Sequence, residues 1–475
     1  MYAGKTLFNQ ERFMSKGSSD SKDRGLFSGH FGFVIAAAAS AVGLGNIWRF
    51  PYLTAKYGGG IFLLVYLILM LTFGYALIVA ETSLGRATRL SPVGAYRAFA
   101  GFKKNPFLSF GGWLNAVVPM LIFPYYCLIG GWIIKYTVEF FAGQVDTVAA
   151  DGYFGGFISS TWEPVLWHMV FLGCTLAVIL KGVEKGVEKA SRVMMPLLLL
   201  LAGVVAVYSM TRPGAGAGIY YYLVPDFSKL SIMTVVVACG QLFFSLSIGM
   251  GILITYGSYM KKDVDVEKAT NRIQIMDTVV ALLAGFMIIP AVFAFSGGEA
   301  DALNAGPALM FVTIPKVFNS MSFGGIIGTM FFLMVFFAAL TSNISIMEAC
   351  VSTLSDEMHW SRRSSALFMT FEAVALGVPC SLGFGVWDFV SIAGMSILDM
   401  MDFVAGTVLC PFSALLTCLL IGRVVGIDRL AVDIKFSSAF RREKVFRICI
   451  SWLAPVILLI VLVSSVAAAL GYIKM

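Results

Sequence analysis

Apolar stretches, each comparable in length to a bilayer crossing, constrain this chain more than any motif does. Ile61–Ala80, Val193–Tyr208, Gly325–Leu340 and Trp452–Leu470 carry no charged residue. A helix crossing a hydrocarbon core of about 30 Å needs roughly 20 such residues. A barrel would instead show short segments alternating between apolar and polar. Over 475 residues the chain is 59% hydrophobic and 13% charged, about half the charge of an ordinary soluble protein. The pattern predicts an all-α polytopic membrane protein. It places about eleven spans near 31–56, 60–84, 112–140, 164–181, 192–211, 234–260, 273–297, 325–357, 364–382, 387–422 and 446–472.

The net charge of +7 does not point to nucleic acid, because the positive charges sit between spans and alternate between loops. Arg86, Arg89, Arg97, Lys103 and Lys104 share one loop, and Lys181, Lys185, Lys189 and Arg192 the next on that side. Lys261, Lys262, Lys268 and Arg272, then Arg362 and Arg363, then a basic run from Arg423 to Lys444 continue the series. The opposite loops hold mainly Arg212, Lys229 and Lys316, beside several acids. The positive-inside rule therefore predicts a cytoplasmic N-terminus and, for an odd span count, an external C-terminus. Residues 1–30 are polar and basic and read as a cytoplasmic segment rather than a cleaved signal peptide. Eight cysteines without a paired spacing and three histidines suggest neither a disulfide framework nor a metal centre.

Spans one and six each carry a Gly-x-Gly in mid-membrane, Gly43-Leu44-Gly45 and Gly249-Met250-Gly251, five spans apart. Matching interruptions in two halves are the sequence pointer to a repeat-built transporter with its site at the breaks. Unwinding exposes backbone groups that must find partners, so it persists only where it is buried or faces ions, ligand and water. Without function, such glycines would only permit close helix packing. The predicted organisation is a 5+5 inverted repeat with discontinuous helices 1 and 6. Residues 31–211 form the first five-helix half, 234–422 the second, and 446–472 an additional helix.

Arg49, Glu81, Asp277, Asp356 and Asp402 lie in or at the ends of apolar spans, where ionisable groups are functional hypotheses by default. Glu81 also fits a structural role, accepting backbone N–H groups at a helix break. Arg24 with Asp356 and Arg49 with Asp402 would make two pairs, one on each side of a central site, suited to gating rather than to stability. A soluble enzyme is excluded by composition, and a membrane enzyme lacks a nucleophile or metal cluster. A channel would want a continuous polar pore. A transporter-like receptor remains open at this point.

Several stretches resemble one family, the neurotransmitter:sodium symporters. They are Ala41-Val42-Gly43-Leu44-Gly45-Asn46-Ile47-Trp48-Arg49-Phe50-Pro51-Tyr52, Gly58-Gly59-Gly60, Glu81 through Gly85-Arg86, Gln241-Leu242-Phe243-Phe244-Ser245-Leu246-Ser247, Leu340-Thr341-Ser342, and Met401-Asp402-Phe403 with Ala405-Gly406. The absence of a twelfth span resembles the eleven-span bacterial subgroup with the leucine-transporter fold. The resemblance implies a sodium-coupled importer in the bacterial cytoplasmic membrane, multi-pass, acting on an amino acid, with a monomer sufficient for transport within the lipid bilayer. Another small zwitterion is the alternative substrate class. It implies two sodium ions: one held by Ala41, Asn46, Ser245 and Asp277 together with the substrate carboxylate, the other by Ala39, Val42, Ala338, Thr341 and Ser342. These are hard oxygen donors suited to an alkali cation. Tyr126 would bond the substrate carboxylate and Phe244 would close over it. Ala41, Gly43, Gly45, Ser245 and Ser342 would surround its backbone end, and Ile122, Ser247, Met250 and Ile346 its side chain. Gln241 joins the gate residues.

Where amine-carrying relatives have an aspartate, this chain has Gly43, which favours an amino acid over a monoamine and, with a mostly apolar subsite, a hydrophobic or aromatic one. Asp277 stands where relatives place a sodium ligand, and Ala281 where a glutamate or serine might stand. A carboxylate at 277 would serve both as ligand and as compensating charge, making chloride unnecessary, with Tyr66 and Gln241 close by. Gly186 and Pro196 resemble a family motif at which span five unwinds during release.

Overall fold

The computed structural model describes residues 25–100, 106–296, 307–392 and 394–469. It is helical throughout. Among the described residues no strand forms, and only isolated bridges at Gly59–Pro225 and Ile392–Met395 occur. Eight helices are long and apolar enough to cross a membrane: Gly60–Thr88, Phe110–Phe141, Val183–Met210, Val266–Ser296, Gly324–Met358, Arg362–Leu382, Ile397–Val425 and Glu443–Ala468. Two bent pairs bring the number to ten if each counts once. They are His30–Ala41 with Gly45–Lys56, bent by 52°, and Tyr153–Ser159 with Glu163–Ile179, bent by 80°. The interrupted segment predicted as span six consists of Ile232–Ser245 and Ile252–Ser258. The span numbers of the sequence reading are kept below for these helices.

Span seven starts at Val266 rather than 273, and two other boundaries differ further from the sequence reading. Span five starts at Val183 rather than near 192, because the Lys/Glu-rich stretch Val183–Glu188 winds as a π-helical turn that runs on into Lys189–Met210. Span ten starts at Ile397 rather than 387. The apolar residues just before it fold as a turn-rich loop packed on the helix Tyr153–Ser159. A Cβ on Gly385 would lie 2.3 Å from the Ser159 carbonyl oxygen.

Short helices Val145–Ala149, Tyr153–Ser159, Ala215–Leu223 and Leu309–Asn319 gather at one end of the bundle, here the loop-rich face. The opposite end, the basic face, carries Ile427–Ser437. Arg86 at the end of span two clamps this helix through Asp433 Oδ2 (2.8 Å), the Asp433 carbonyl oxygen (2.6 Å) and Ser437 (2.9 Å). The N-terminal half of span one, His30–Ala41, packs among spans five, seven and eight, so its broken end sits at the centre of the bundle. All eight cysteines are free, seven of them buried.

Candidate functional site

Span one stops as a helix at Ala41, and Val42 is extended (φ −77, ψ 97). Helical turns resume at Gly45. Span six stops at Ser245 and resumes at Ile252. Between them Ser247, Gly249 and Gly251 take φ of 53, 78 and 66, the left-handed region that glycine enters without steric penalty. The peptide at 248–249 has both polar groups satisfied: Gly249 N–H donates to Glu81 Oε1 (2.8 Å) and the Cys410 thiol donates to the Ile248 carbonyl (3.0 Å). Glu81 therefore has the structural bond that its sequence position suggested. The two breaks are braced together by Gln241, whose Nε2 donates to the Gly45 carbonyl (2.9 Å).

On one side of the breaks, Asp277 is fully buried. Its Oδ1 accepts from Asn46 Nδ2 (2.9 Å) and Ser245 Oγ (2.7 Å), and its Oδ2 from the Tyr66 hydroxyl (3.2 Å). No lysine or arginine pairs with it among the described residues. A buried carboxylate without a countercharge is costly, several kcal/mol in real proteins. This oxygen-rich cluster therefore suits a small hard cation. Asn46 Oδ1 accepts Gly43 N–H (3.2 Å); as a cation ligand the amide would present that oxygen.

On the other side, Ser342 Oγ reaches the carbonyl oxygens of Ser40 (3.1 Å) and Val42 (3.2 Å), and Thr341 Oγ1 those of Phe337 (2.9 Å) and Ala338 (3.1 Å). Ser342 thus joins span eight to the broken end of span one, with Thr341 and the Ala338 carbonyl beside it on the same helix. The neighbouring span-one carbonyl in this hydroxyl's reach is that of Ser40, while Ala39 is buried within the helix. Ser40 was not singled out from the sequence, because the contacts of a backbone carbonyl depend on how the helix is placed and not on its side chain.

Between the two clusters space is tight. A Cβ on Gly43 would lie 2.7 Å from Ser342 Oγ and 3.2 Å from the Tyr126 hydroxyl, and one on Gly45 would lie 2.5 Å from the Phe244 ring. Tyr126, Ile122, Ser247, Met250 and Ile346 are buried. Phe244 is half-buried over Gly45, with the Arg49 guanidinium 5.1 Å from its ring centre.

The gates differ from expectation. Arg49 makes no direct ion pair with Asp402 among the described residues: it lies over Phe244, and Asp402 accepts from the Tyr125 hydroxyl (2.8 Å). Gln241 is committed to the break rather than to a gate. Asp356 accepts Ser91 N–H (2.8 Å), while Arg24 lies outside the described residues. Two acids of the basic end were not singled out from sequence. Glu348 accepts from Tyr259 (2.8 Å) and bidentately from Arg362. Glu188 accepts from Ser28 N (2.8 Å), Ser28 Oγ (2.5 Å) and Arg192 (2.5 Å).

A helical bundle with two interrupted spans and polar groups buried at both interruptions has the architecture of a multi-pass membrane transporter. The chain belongs to the sodium:neurotransmitter symporter family, which it matches over residues 24–151 and 158–473. It is similar to an uncharacterized sodium-dependent transporter, YhdH, of Bacillus subtilis, 35% identical over 86% of this chain and 89% of that one. An uncharacterized sodium-dependent transporter of Haemophilus influenzae is 30% identical over 94% of this chain and 99% of that one. Among solved structures it resembles MhsT in complex with L-phenylalanine, with 36% identity and a TM-score of 0.84, covering 93% of this chain and all of that one. The family and these relatives are transporters, not enzymes.

Proposed function

We propose that this chain is a sodium-coupled symporter that imports a hydrophobic or aromatic L-amino acid by alternating access. The observation that carries the reading is the fully buried Asp277, held by Asn46, Ser245 and Tyr66 beside the break in span one. Residues 31–211 and 234–422 are the two inverted halves around that break and its partner in span six, and 446–472 is the eleventh span. The basic face lies in the cytoplasm of a bacterial inner membrane, with the N-terminus on that side and the C-terminus outside. A monomer carries the whole site.

The substrate carboxylate lies at the helix start near Gly45, where the helix dipole favours an anion. There it meets the Tyr126 hydroxyl and completes the shell of a sodium held by the Ala41 carbonyl, Asn46, Ser245 and Asp277. A second sodium sits among the carbonyls of span one, Ala338, Thr341 and Ser342, and links the inner half of span one to span eight. The apolar Ile122, Met250 and Ile346 take the side chain, and adaptable Met250 tolerates several shapes. Gly43, pressed against Ser342 and Tyr126, leaves no room for the carboxylate that a bare amine would need, so the substrate must bring its own. Likeness to MhsT with L-phenylalanine supports the choice of substrate class.

Because substrate and cation share a ligand shell, their binding is reciprocal by linkage. Binding of labelled hydrophobic and aromatic amino acids to the detergent-purified protein is expected in sodium and lost in potassium. Equal affinity in the two salts overturns the assignment. Uptake is expected to be indifferent to replacement of chloride by gluconate, with Asp277→Asn either inactive or newly chloride-dependent. A chloride requirement in the unaltered protein removes the charge-compensating role of Asp277.

A further inference from the structure

Three basic residues mark the sparsely charged loops. Lys316 is paired with Asp151, and Lys229 stands 5.0 Å over the Tyr221 ring. Arg212 is different. Its Nε reaches the Tyr208 carbonyl (3.3 Å), its Nη1 the Tyr208 hydroxyl (3.3 Å) and its Nη2 the Thr211 hydroxyl (3.2 Å), and its guanidinium lies 4.0 Å from the Tyr208 ring centre. Every acceptor is neutral and on its own turn of chain. No carboxylate pairs with it among the described residues, so its charge is uncommitted.

Beside Arg212 opens a groove of about 650 Å³, between the outer half of span five and Ile327 of span eight. Leu200, Gly203, Val204 and Val207 form one wall, and Tyr208 and Thr211 the mouth. Gly203 makes the depression: a Cβ there would meet nothing within 4 Å. Leu200 and Val207 are 64% and 58% exposed, as a lipid-facing wall should be. The Tyr208 hydroxyl bonds the Ser322 carbonyl and fixes the mouth to the start of span eight. From Arg212 to Leu199 is thirteen residues, a helical rise of about 20 Å, which matches one leaflet of about 15 Å of hydrocarbon plus the start of its headgroups.

We propose that this groove is a phospholipid site: one acyl chain lies along Gly203 and Ile327, and the phosphate sits on Arg212, with net-anionic headgroups preferred. The depth of the cation, the apolar lining and the lack of an internal countercharge agree on this occupant. The guanidinium fork matches phosphate oxygens in geometry and charge. Only membrane embedding is required; the claim is independent of the central site and of which face is cytoplasmic.

The test is native mass spectrometry of the full chain released from nanodiscs of equal phosphatidylglycerol and phosphatidylethanolamine. One retained phospholipid is expected, with phosphatidylglycerol enriched about fivefold, the preference expected of a single juxtamembrane cation. Arg212→Gln should keep a lipid but bring the enrichment close to one. Gly203→Leu, which has space to fold, should fill the groove and remove the retained lipid, and sodium-dependent ligand binding serves as the check that the variant is native. Identical lipid retention in all three proteins, or adduct numbers that rise with lipid supply without a plateau at one, overturns the site.

Discussion

The two ends of the central site are closed by different chemistry. At the basic face, Glu188 of span five holds the residues just before span one through Ser28, while Lys261 binds the Ser28 carbonyl (2.8 Å) and Phe27 N–H the Tyr259 carbonyl (3.2 Å). Glu348 joins span eight to Arg362 and Tyr259, and Asp356 caps Ser91. At the loop-rich end, among the described residues, the contacts directly over the site include a cation–aromatic stack, Arg49 on Phe244, and a hydroxyl bond, Tyr125 to Asp402. Hydrogen bonds to charged groups contribute about 1.5–3 kcal/mol each, and a cation–π contact about 0.5–2. The basic end is therefore the more expensive to part, and its bonds join elements far apart in sequence. The difference teaches that this arrangement yields first at the loop-rich end.

The sharpest way to break the asymmetry is Arg362→Gln. It strands the buried Glu348 carboxylate, a class of change that costs about 3–5 kcal/mol. A large drop in unfolding temperature is expected, with partial recovery in the Arg362→Gln, Glu348→Gln double variant. An unchanged temperature in the single variant would show that this pair does not hold the basic end.

Glu188→Gln should act next most strongly, by about 1–3 kcal/mol, since one neutral amide replaces an acceptor of three bonds. Backbone hydrogen exchange should rise together at 28–33 and at 186–196. The second stretch is where Gly186 and Pro196 favour unwinding. A rise in only one stretch would show that the carboxylate does not couple span five to span one.

At the other end Asp402→Asn removes charge but keeps an acceptor for Tyr125, and should alter stability by about 1 kcal/mol or less. Its expected effect is on access: a cysteine placed at Phe244 should react faster with a water-soluble thiol reagent in the Asp402→Asn background. An equal rate would mean that Asp402 does not help to hold that end. Lys316→Gln, opposite the fully exposed Asp151, should change nothing measurable, as exposed pairs usually contribute little.

Much of this was legible in the sequence because membrane insertion forces it. Apolar blocks announce their helices, and both Gly-x-Gly pairs fall at real interruptions of spans one and six. Asn46, Ser245 and Asp277, distant along the chain, meet around one carboxylate. The latch at Glu188 was illegible because its stretch, VEKGVE, has the composition of a cytoplasmic loop yet winds as the first turn of span five. Residues 387–392 and 394–396 misled in the opposite sense, read as the start of span ten but folded as a loop. The separation of Arg49 from Asp402 depends on where the Phe244 ring lies, which no spacing encodes.

The thiol of Cys410 has a further use. It is buried and hydrogen-bonded to Ile248 within the interruption of span six, and a thiol reacts only as an accessible thiolate. With enough membrane-permeant reagent for alkylation to outpace reclosing, its labelling would therefore run at the rate at which that interruption comes apart. The protein carries its own clock for the movement, readable as a mass increase on one peptide without any label being engineered.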